Sequence, residues 1–126
     1  MVDVMATIVI AGWIDVEPDA RAALLAESLA FQRSTREDEP GCNGYVFAAD
    51  PLEPARIHVF EEWASPEALE AHFQHPNFAA MGELLRRYPR RGSQTRKYRV
   101  DAVAPVRNAE GVATATFPGP TLGRSE

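Results

Sequence analysis

The order of apolar and polar residues along the chain predicts four strands and two helical regions. Residues 5–16 are apolar on both alternating faces, which is typical of a strand buried on both sides. Residues 44–49 and 56–63 predict two further strands, joined by a loop with two prolines that cannot take part in a ladder. Residues 94–103 alternate between charged and apolar character and predict the fourth strand.

Two helical regions are predicted by apolar residues at spacings of three and four. The first spans about 17–35, with Pro18 at the first helical position and acids beside it that complement the helix dipole. The second starts at Ser65, a preferred N-cap residue, and a proline at 76 separates it from a further apolar stripe that ends before Pro89. The order β-α-β-β-α-β predicts an α+β fold, the split βαβ or ferredoxin-like arrangement with an antiparallel sheet.

The helices of this arrangement cover one face of the sheet, yet the strands are apolar on both faces. The second face therefore needs a cover, and a partner sheet in a homodimer is the simplest one. From Ala104 onward the composition shifts to proline, glycine, alanine and threonine. We therefore expect a ferredoxin-like domain over residues 1–103 and a C-terminal tail or arm over residues 104–126.

Composition and charge exclude several classes of protein. Thirteen basic and eighteen acidic residues give a net charge of −5, which argues against a nucleic-acid partner. No apolar run approaches the ~20 residues of a membrane span, and the first residues lack the pattern of a secretory signal. Cys42 is the single cysteine, so no internal disulfide can form, and we expect a cytoplasmic protein.

One segment of the acidic chain is locally basic. Residues 86–99 hold seven of the thirteen basic side chains and no acid. Such a block can bind a phosphate-bearing ligand or RNA, but the aromatic pattern that stacks RNA bases on a sheet is missing. A solvated face, or one that pairs with acids of a partner subunit, is the favoured interpretation.

Three motifs resemble those of one protein family. They are E-P-G-C-x-x-Y from Glu39, F-E-E-W-x-S-x-x-A-L-x-x-H from Phe60 and H-P-x-F from His75, and they are similar to the antibiotic biosynthesis monooxygenases. The resemblance spans about residues 5–103. It implies a dimeric α+β barrel and, for some members, cofactor-independent oxidation of quinols or polyketides. Other members of that superfamily degrade haem or isomerise a sugar phosphate.

The resemblance brings out five candidate site residues. His72 matches the family histidine and is the candidate catalytic base, because a neutral imidazole has a pKa near working pH. Glu61 shares a strand face with Trp63, and if that face is buried its carboxylate needs a partner, for which His72 is the candidate. Glu61 would then contribute to catalysis by orienting His72. Tyr45, Trp63 and Phe78 are candidate substrate-binding walls for a flat ring. The same residues also have a purely structural interpretation. His72 and Glu61 would join a helix to the sheet by a hydrogen bond, and the three aromatic residues would belong to the core.

We therefore predict a monooxygenase that oxidises a small electron-rich aromatic, a hydroquinone, phenol or polyketide, with O₂ and with no cofactor or metal. The pair His72-x-x-His75 has ligand-like spacing, but Pro76 disrupts the geometry and no third ligand is near in the sequence. The alternatives are a non-catalytic dimer that binds a small molecule and an isomerase of a phosphorylated small molecule. Haem degradation is disfavoured, since the haem-degrading relatives place a tryptophan at His72 and an axial histidine near Gly82.

Overall fold

A computed structural model describes residues 6–117 of the chain. The described residues form one antiparallel sheet in the order β2-β3-β1-β4, with helices on one side, which confirms the predicted ferredoxin-like α+β fold. The elements in chain order are β1 (Ile8–Val16), α1 (Pro18–Asp38), β2 (Cys42–Ala49), β3 (Arg56–Trp63), α2 (Pro66–Gln74), α3 (Pro76–Arg86) and β4 (Arg90–Arg99).

Local side-chain chemistry explains where α2 and α3 begin. The hydroxyl oxygen of Ser65 accepts a hydrogen bond from the backbone N–H of Ala68 at 3.1 Å, which confirms the predicted N-cap. His75 ends α2 and caps α3, because its Nδ1 accepts from the backbone N–H of Asn77 at 3.0 Å. Pro76 then occupies the first position of α3, where a missing N–H costs nothing. The H-P-x-F motif is therefore a helix junction.

Helix α1 is fastened to β2 by polar as well as apolar contacts. Its buried stripe consists of Leu24, Ser28, Gln32 and Thr35, spaced by three and four residues. The side-chain amide of Gln32 donates to the backbone oxygen of Phe47 and accepts from its N–H, both at 3.1 Å. One glutamine thus satisfies two buried backbone groups of β2 and fixes the helix above the sheet.

Strand β4 lies four residues earlier than predicted, over Arg90–Arg99 instead of 94–103. Within residues 6–117 it pairs only with β1, and it forms one edge of the four-stranded sheet. Because an edge strand is held by its backbone ladder, its side chains do not need to be apolar, and nearly all of those in β4 are exposed.

Strands β1 and β4 approach closely at Gly12. A Cβ atom built at this position would lie 1.9 Å from the backbone oxygen of Gln94 and 2.6 Å from the Cα of Thr95. No side chain fits there at the present strand spacing, so the absence of a Cβ permits the contact.

The sheet face turned away from the helices carries apolar side chains without a cover among residues 6–117. We call it the open face, and its most exposed apolar residues are Val46, Phe60 and Tyr98, at 36%, 42% and 46%. Trp13 lies on the same face, where the guanidinium of Arg56 stacks on its ring at 3.9 Å. The open face fits the expectation that a further layer covers it.

Beyond β4, the described part of the predicted tail makes an isolated β-bridge between Arg107 and Ala113. The backbone N–H of Thr114 donates to the oxygen of Val106 at 3.0 Å, within the same segment. Residues 118–126 lie outside the described residues, and the domain boundary at residue 103 stays a prediction. No helix within residues 6–117 combines the length and apolar character needed to cross a membrane.

Candidate active site

Two adjoining cavities lie between α3 and the helix-facing side of the sheet. Their volumes are about 450 Å³ and 290 Å³. They share part of their lining and form two lobes of one space, which we call the cleft; the shared residues are Phe47, Glu61, Phe78, Leu85 and Arg90. The larger lobe falls within the 300–1,000 Å³ range of ordinary small-molecule sites.

Glu61 supplies a buried carboxyl group to both lobes of the cleft. It lies on β3, between Tyr45 of β2 and Ile10 of β1, and is only 8% exposed. Its Oε1 accepts a hydrogen bond from Trp63 Nε1 at 3.0 Å, whereas no residue within 6–117 donates a hydrogen bond to Oε2. The second oxygen is therefore available to a ligand.

The surroundings of Glu61 raise the pKa of its carboxyl group. Burial raises the pKa of this carboxyl, and the carboxylate of Glu39 raises it further. The hydrogen bond from Trp63 and the nearby His72 lower it, but burial is the largest effect and the pKa stays above its usual range. Such a carboxyl group can take or give a proton closer to neutral pH than an exposed one.

Tyr45 places a phenol beside Glu61. Its ring is 2% exposed and borders the larger lobe. Burial, reinforced by the charge of Glu61, raises the pKa of the Tyr45 hydroxyl far above its usual range. The hydroxyl therefore stays protonated, and no other side chain in the described part of the chain bonds to it. It is available to donate a hydrogen bond to a ligand oxygen.

His72 lies behind the wall of the cleft. The side chain is buried, and its imidazole is surrounded by the rings of Trp63, Phe78 and Tyr45, at centroid distances of 4.5, 5.4 and 5.5 Å. It is not among the residues that line either lobe. The aromatic side chains on which a substrate would rest thus separate the cleft from His72.

The hydrogen-bond partner of His72 is Glu39, so the predicted pairing of His72 with Glu61 is wrong. Nδ1 of His72 donates to Glu39 Oε1 at 2.7 Å, and the Asn77 side-chain amide donates to Glu39 Oε2 at 2.9 Å. Glu39 is the C-cap of α1, while His72 and Asn77 belong to α2 and α3. We call this set the Glu39 network; it joins the three helices.

His75 also lies close to Glu39, with its Nδ1 3.5 Å from Oε2. This approach is not a hydrogen bond, because the same Nδ1 accepts from the backbone N–H of Asn77. Within residues 6–117, no three side chains of histidine, cysteine, aspartate or glutamate are grouped so that they could hold a metal ion.

The structure divides the five predicted site residues into two groups. Glu61, Tyr45 and Phe78 border the cleft. His72 and Trp63 lie behind it, and Trp63 is fully buried. Sequence reasoning did not assign Glu39 to the site, because an acid before a Pro-Gly turn gives no sign of a contact with a histidine 33 residues later.

Two arginines were also missed as site residues. Arg86 borders the larger lobe and Arg90 borders both lobes. The basic composition of residues 86–99 was visible in the sequence, but the division of its side chains between the cleft and solvent was not.

Comparison with known proteins points to one family. The family model described as antibiotic biosynthesis monooxygenase matches residues 7–84, more than half of the chain. An uncharacterized protein of Synechocystis sp. is 42% identical over 71 residues, which cover 56% of this chain and 48% of that protein. The chain thus spans about half the length of this relative.

Solved structures agree with the fold. A provisionally assigned antibiotic biosynthesis monooxygenase from Caulobacter crescentus superposes with a TM-score of 0.70 at 21% identity, over 78% of this chain and 92% of that one. A protein from Deinococcus radiodurans with the same provisional assignment has a TM-score of 0.71 at 18% identity, over 80% and 99%. At these identities, the likeness shows a shared fold and does not extend to substrate.

Proposed function

The chain belongs to the antibiotic biosynthesis monooxygenase family, and on this premise we propose that it oxidises a small electron-rich aromatic, a hydroquinone or phenol, with O₂ in the cleft. One observation carries the proposal. Glu61 presents a buried carboxyl oxygen to an apolar cleft beside the protonated hydroxyl of Tyr45. This pair suits a substrate with an acidic ring hydroxyl.

The proposed chemistry begins with proton transfer. Oε2 of Glu61 accepts the proton of a ring hydroxyl, and Tyr45 donates a hydrogen bond to a substrate oxygen. The resulting anion gives up electrons to O₂ more readily than the neutral ring. For a hydroquinone the balanced reaction is hydroquinone + O₂ → hydroxyquinone + H₂O, in which one oxygen atom enters the ring and the other leaves as water. The cleft orients the ring and excludes solvent.

His72 acts in this proposal as a positioning residue. The predicted role of base passes to Glu61, since Glu61 borders the cleft and has an oxygen without a protein partner, whereas His72 is covered by aromatic rings. Held by Glu39, His72 packs against Trp63, which in turn donates the hydrogen bond that fixes Glu61. His72 therefore acts on Glu61 through Trp63.

Oxygen uptake tests the proposed reaction directly. We expect chelator-treated protein to consume O₂ with a panel of hydroquinones and naphthols, and ¹⁸O₂ to place one labelled atom in the quinone product. Hydrogen peroxide is measured in the same samples, since simple autoxidation would convert all of the O₂ to peroxide. Uptake no faster than that of the buffer control across the panel, or full recovery as peroxide, would contradict the proposal.

We propose, in addition, that the open face pairs with the open face of a second copy. Exposed apolar residues on a sheet without a cover support this pairing, as does the fold shared with the family. Phe60→Lys places a charge at the centre of this surface, and we expect it to convert a dimer into a monomer in light scattering. Leu52→Lys, in a loop at 90% exposure, is the control and should stay dimeric. A wild-type monomer, or a dimeric Phe60→Lys variant, would overturn the proposed interface.

A further inference from the structure

Four arginines flank the junction between α3 and β4, and they fall into two pairs. Arg87 and Arg91 each lie against a glutamate at or near α1, with nitrogen–oxygen distances of 3.2 and 3.8 Å. Arg86 and Arg90 have no carboxylate partner among residues 6–117. The two arginines without a partner are also the two that border the cleft.

The positions of Arg86 and Arg90 suit a ligand in the cleft. The side chain of Arg86 folds back along α3 over Gly82, with its Nη1 3.5 Å from the point where a Cβ of residue 82 would lie. Gly82 also lines the larger lobe, so the guanidinium of Arg86 lies at the rim of that lobe. Arg90 begins β4 and reaches both lobes. Both side chains are solvent-exposed, unlike buried Glu61 and Tyr45.

We propose that Arg86 and Arg90 form an anion subsite, and that the substrate is a hydroquinone or phenol whose ring carries an oxyanion, a carboxylate or a phosphate. The oxidation of that ring rests on the proposed function, whereas the binding of the anion does not. A guanidinium binds a planar oxyanion through two parallel hydrogen bonds. With the anion at the rim and the ring hydroxyl at Glu61, the ring has one orientation in the cleft.

Charge supports this assignment. The chain has a net charge of −5, so an anionic substrate meets a repulsive average field. The positive charges of Arg86 and Arg90 oppose that field at the rim of the cleft and attract an anion there.

The first experiment compares charged and neutral substrates. We expect kcat/KM to be at least about tenfold higher for 2,5-dihydroxybenzoate than for its methyl ester, mainly through KM. For the double variant Arg86→Gln/Arg90→Gln, we expect the ratio of kcat/KM for the carboxylate to kcat/KM for the ester to fall by about ten- to a hundredfold. Arg87→Gln/Arg91→Gln removes the same charge from the same segment without changing the lining of the cleft, and it should keep the preference. The same comparison of kcat/KM with 4-hydroxyphenyl phosphate shows whether the subsite prefers a phosphate or a carboxylate.

Binding without turnover separates this inference from the proposed oxidation. Benzoate and phenyl phosphate lack the ring hydroxyl, and we expect one of them to raise the melting temperature of the wild type and of Arg87→Gln/Arg91→Gln, but not of Arg86→Gln/Arg90→Gln. Anion binding without any oxidation would keep the subsite and end the monooxygenase proposal. Oxidation of neutral and charged rings at equal kcat/KM, or equal stabilisation of all variants by the anions, would overturn the subsite.

Discussion

Replacing Glu61 with glutamine is expected to lower kcat by about 10²–10⁴-fold, the contribution of a well-placed general base. The amide keeps an oxygen that can accept from Trp63 Nε1, so the local packing should survive. It cannot accept the substrate proton. Steady-state O₂ uptake with the best hydroquinone of the panel measures the loss.

The same substitution is expected to stabilise the protein at neutral pH. Burial raises the pKa of Glu61 above its usual value of 4.5, so the folded state binds this proton more tightly than the unfolded chain does. The protonated carboxyl of Glu61 contributes fully to the free energy of unfolding below about pH 4.5. This contribution is lost as the pH rises through the folded-state pKa of Glu61. Glutamine does not ionise, so the melting temperature of Glu61→Gln should exceed that of the wild type at pH 7 and approach it at pH 4.

Glu62→Gln provides the matched control, since it makes the same change at the next residue, on the opposite face of β3. It should leave kcat unchanged. Full activity of Glu61→Gln would remove Glu61 from the reaction. A stability gain that is equal at pH 4 and pH 7 would instead show that ionisation of Glu61 is not its cause.

The Glu39→Ala variant is expected to be destabilised by about 3 kcal/mol, because it leaves the buried Nδ1 donor of His72 without its acceptor and removes one of the two acceptors of the partly buried Asn77 amide. For a chain of this size, such a loss lowers the melting temperature by roughly 10 °C. The damage should also reach the cleft, since His72 packs against Trp63 and Phe78. We therefore expect KM to rise. Thermal denaturation and steady-state kinetics check the two effects.

The conservative variant Glu39→Gln retains an acceptor oxygen and should lose less stability than Glu39→Ala. Glu37→Ala, at an exposed position of the same helix, is the matched control and should behave as the wild type. If Glu39→Ala melted together with Glu37→Ala, the Glu39 network would have no part in stability.

The main features of the fold were predictable because each rests on local chemistry. The N-cap at Ser65 involves only residues of the first turn of α2, and β3 is marked by the alternation of neighbouring side chains. The structure places both as predicted. The start of β4 was not predictable in this way. Its first residues are polar and include Gly92, and they form a strand because β1 offers them a backbone ladder. That reason lies in a distant part of the chain.

The candidate site was predictable as a set of residues but not as an arrangement. Spacing placed His72 on the inward face of α2, and it is buried there. Whether a buried residue borders a cavity depends on the neighbouring side chains, and Phe78 comes from a different helix. The partner of His72 also depends on a turn that returns the end of α1 toward α2. Such contacts have no periodic signature along the chain.

The width of the cleft depends on Gly12, although Gly12 is not one of the residues that line it. Because β1 tolerates no side chain there, β4 lies close enough to bring Arg90 and Thr95 to the smaller lobe. A methyl group at residue 12 would push β4 outward and widen a space that the residue itself does not touch. The chemistry of the cleft thus depends on the residues that line it, whereas its width depends also on a glycine outside the lining.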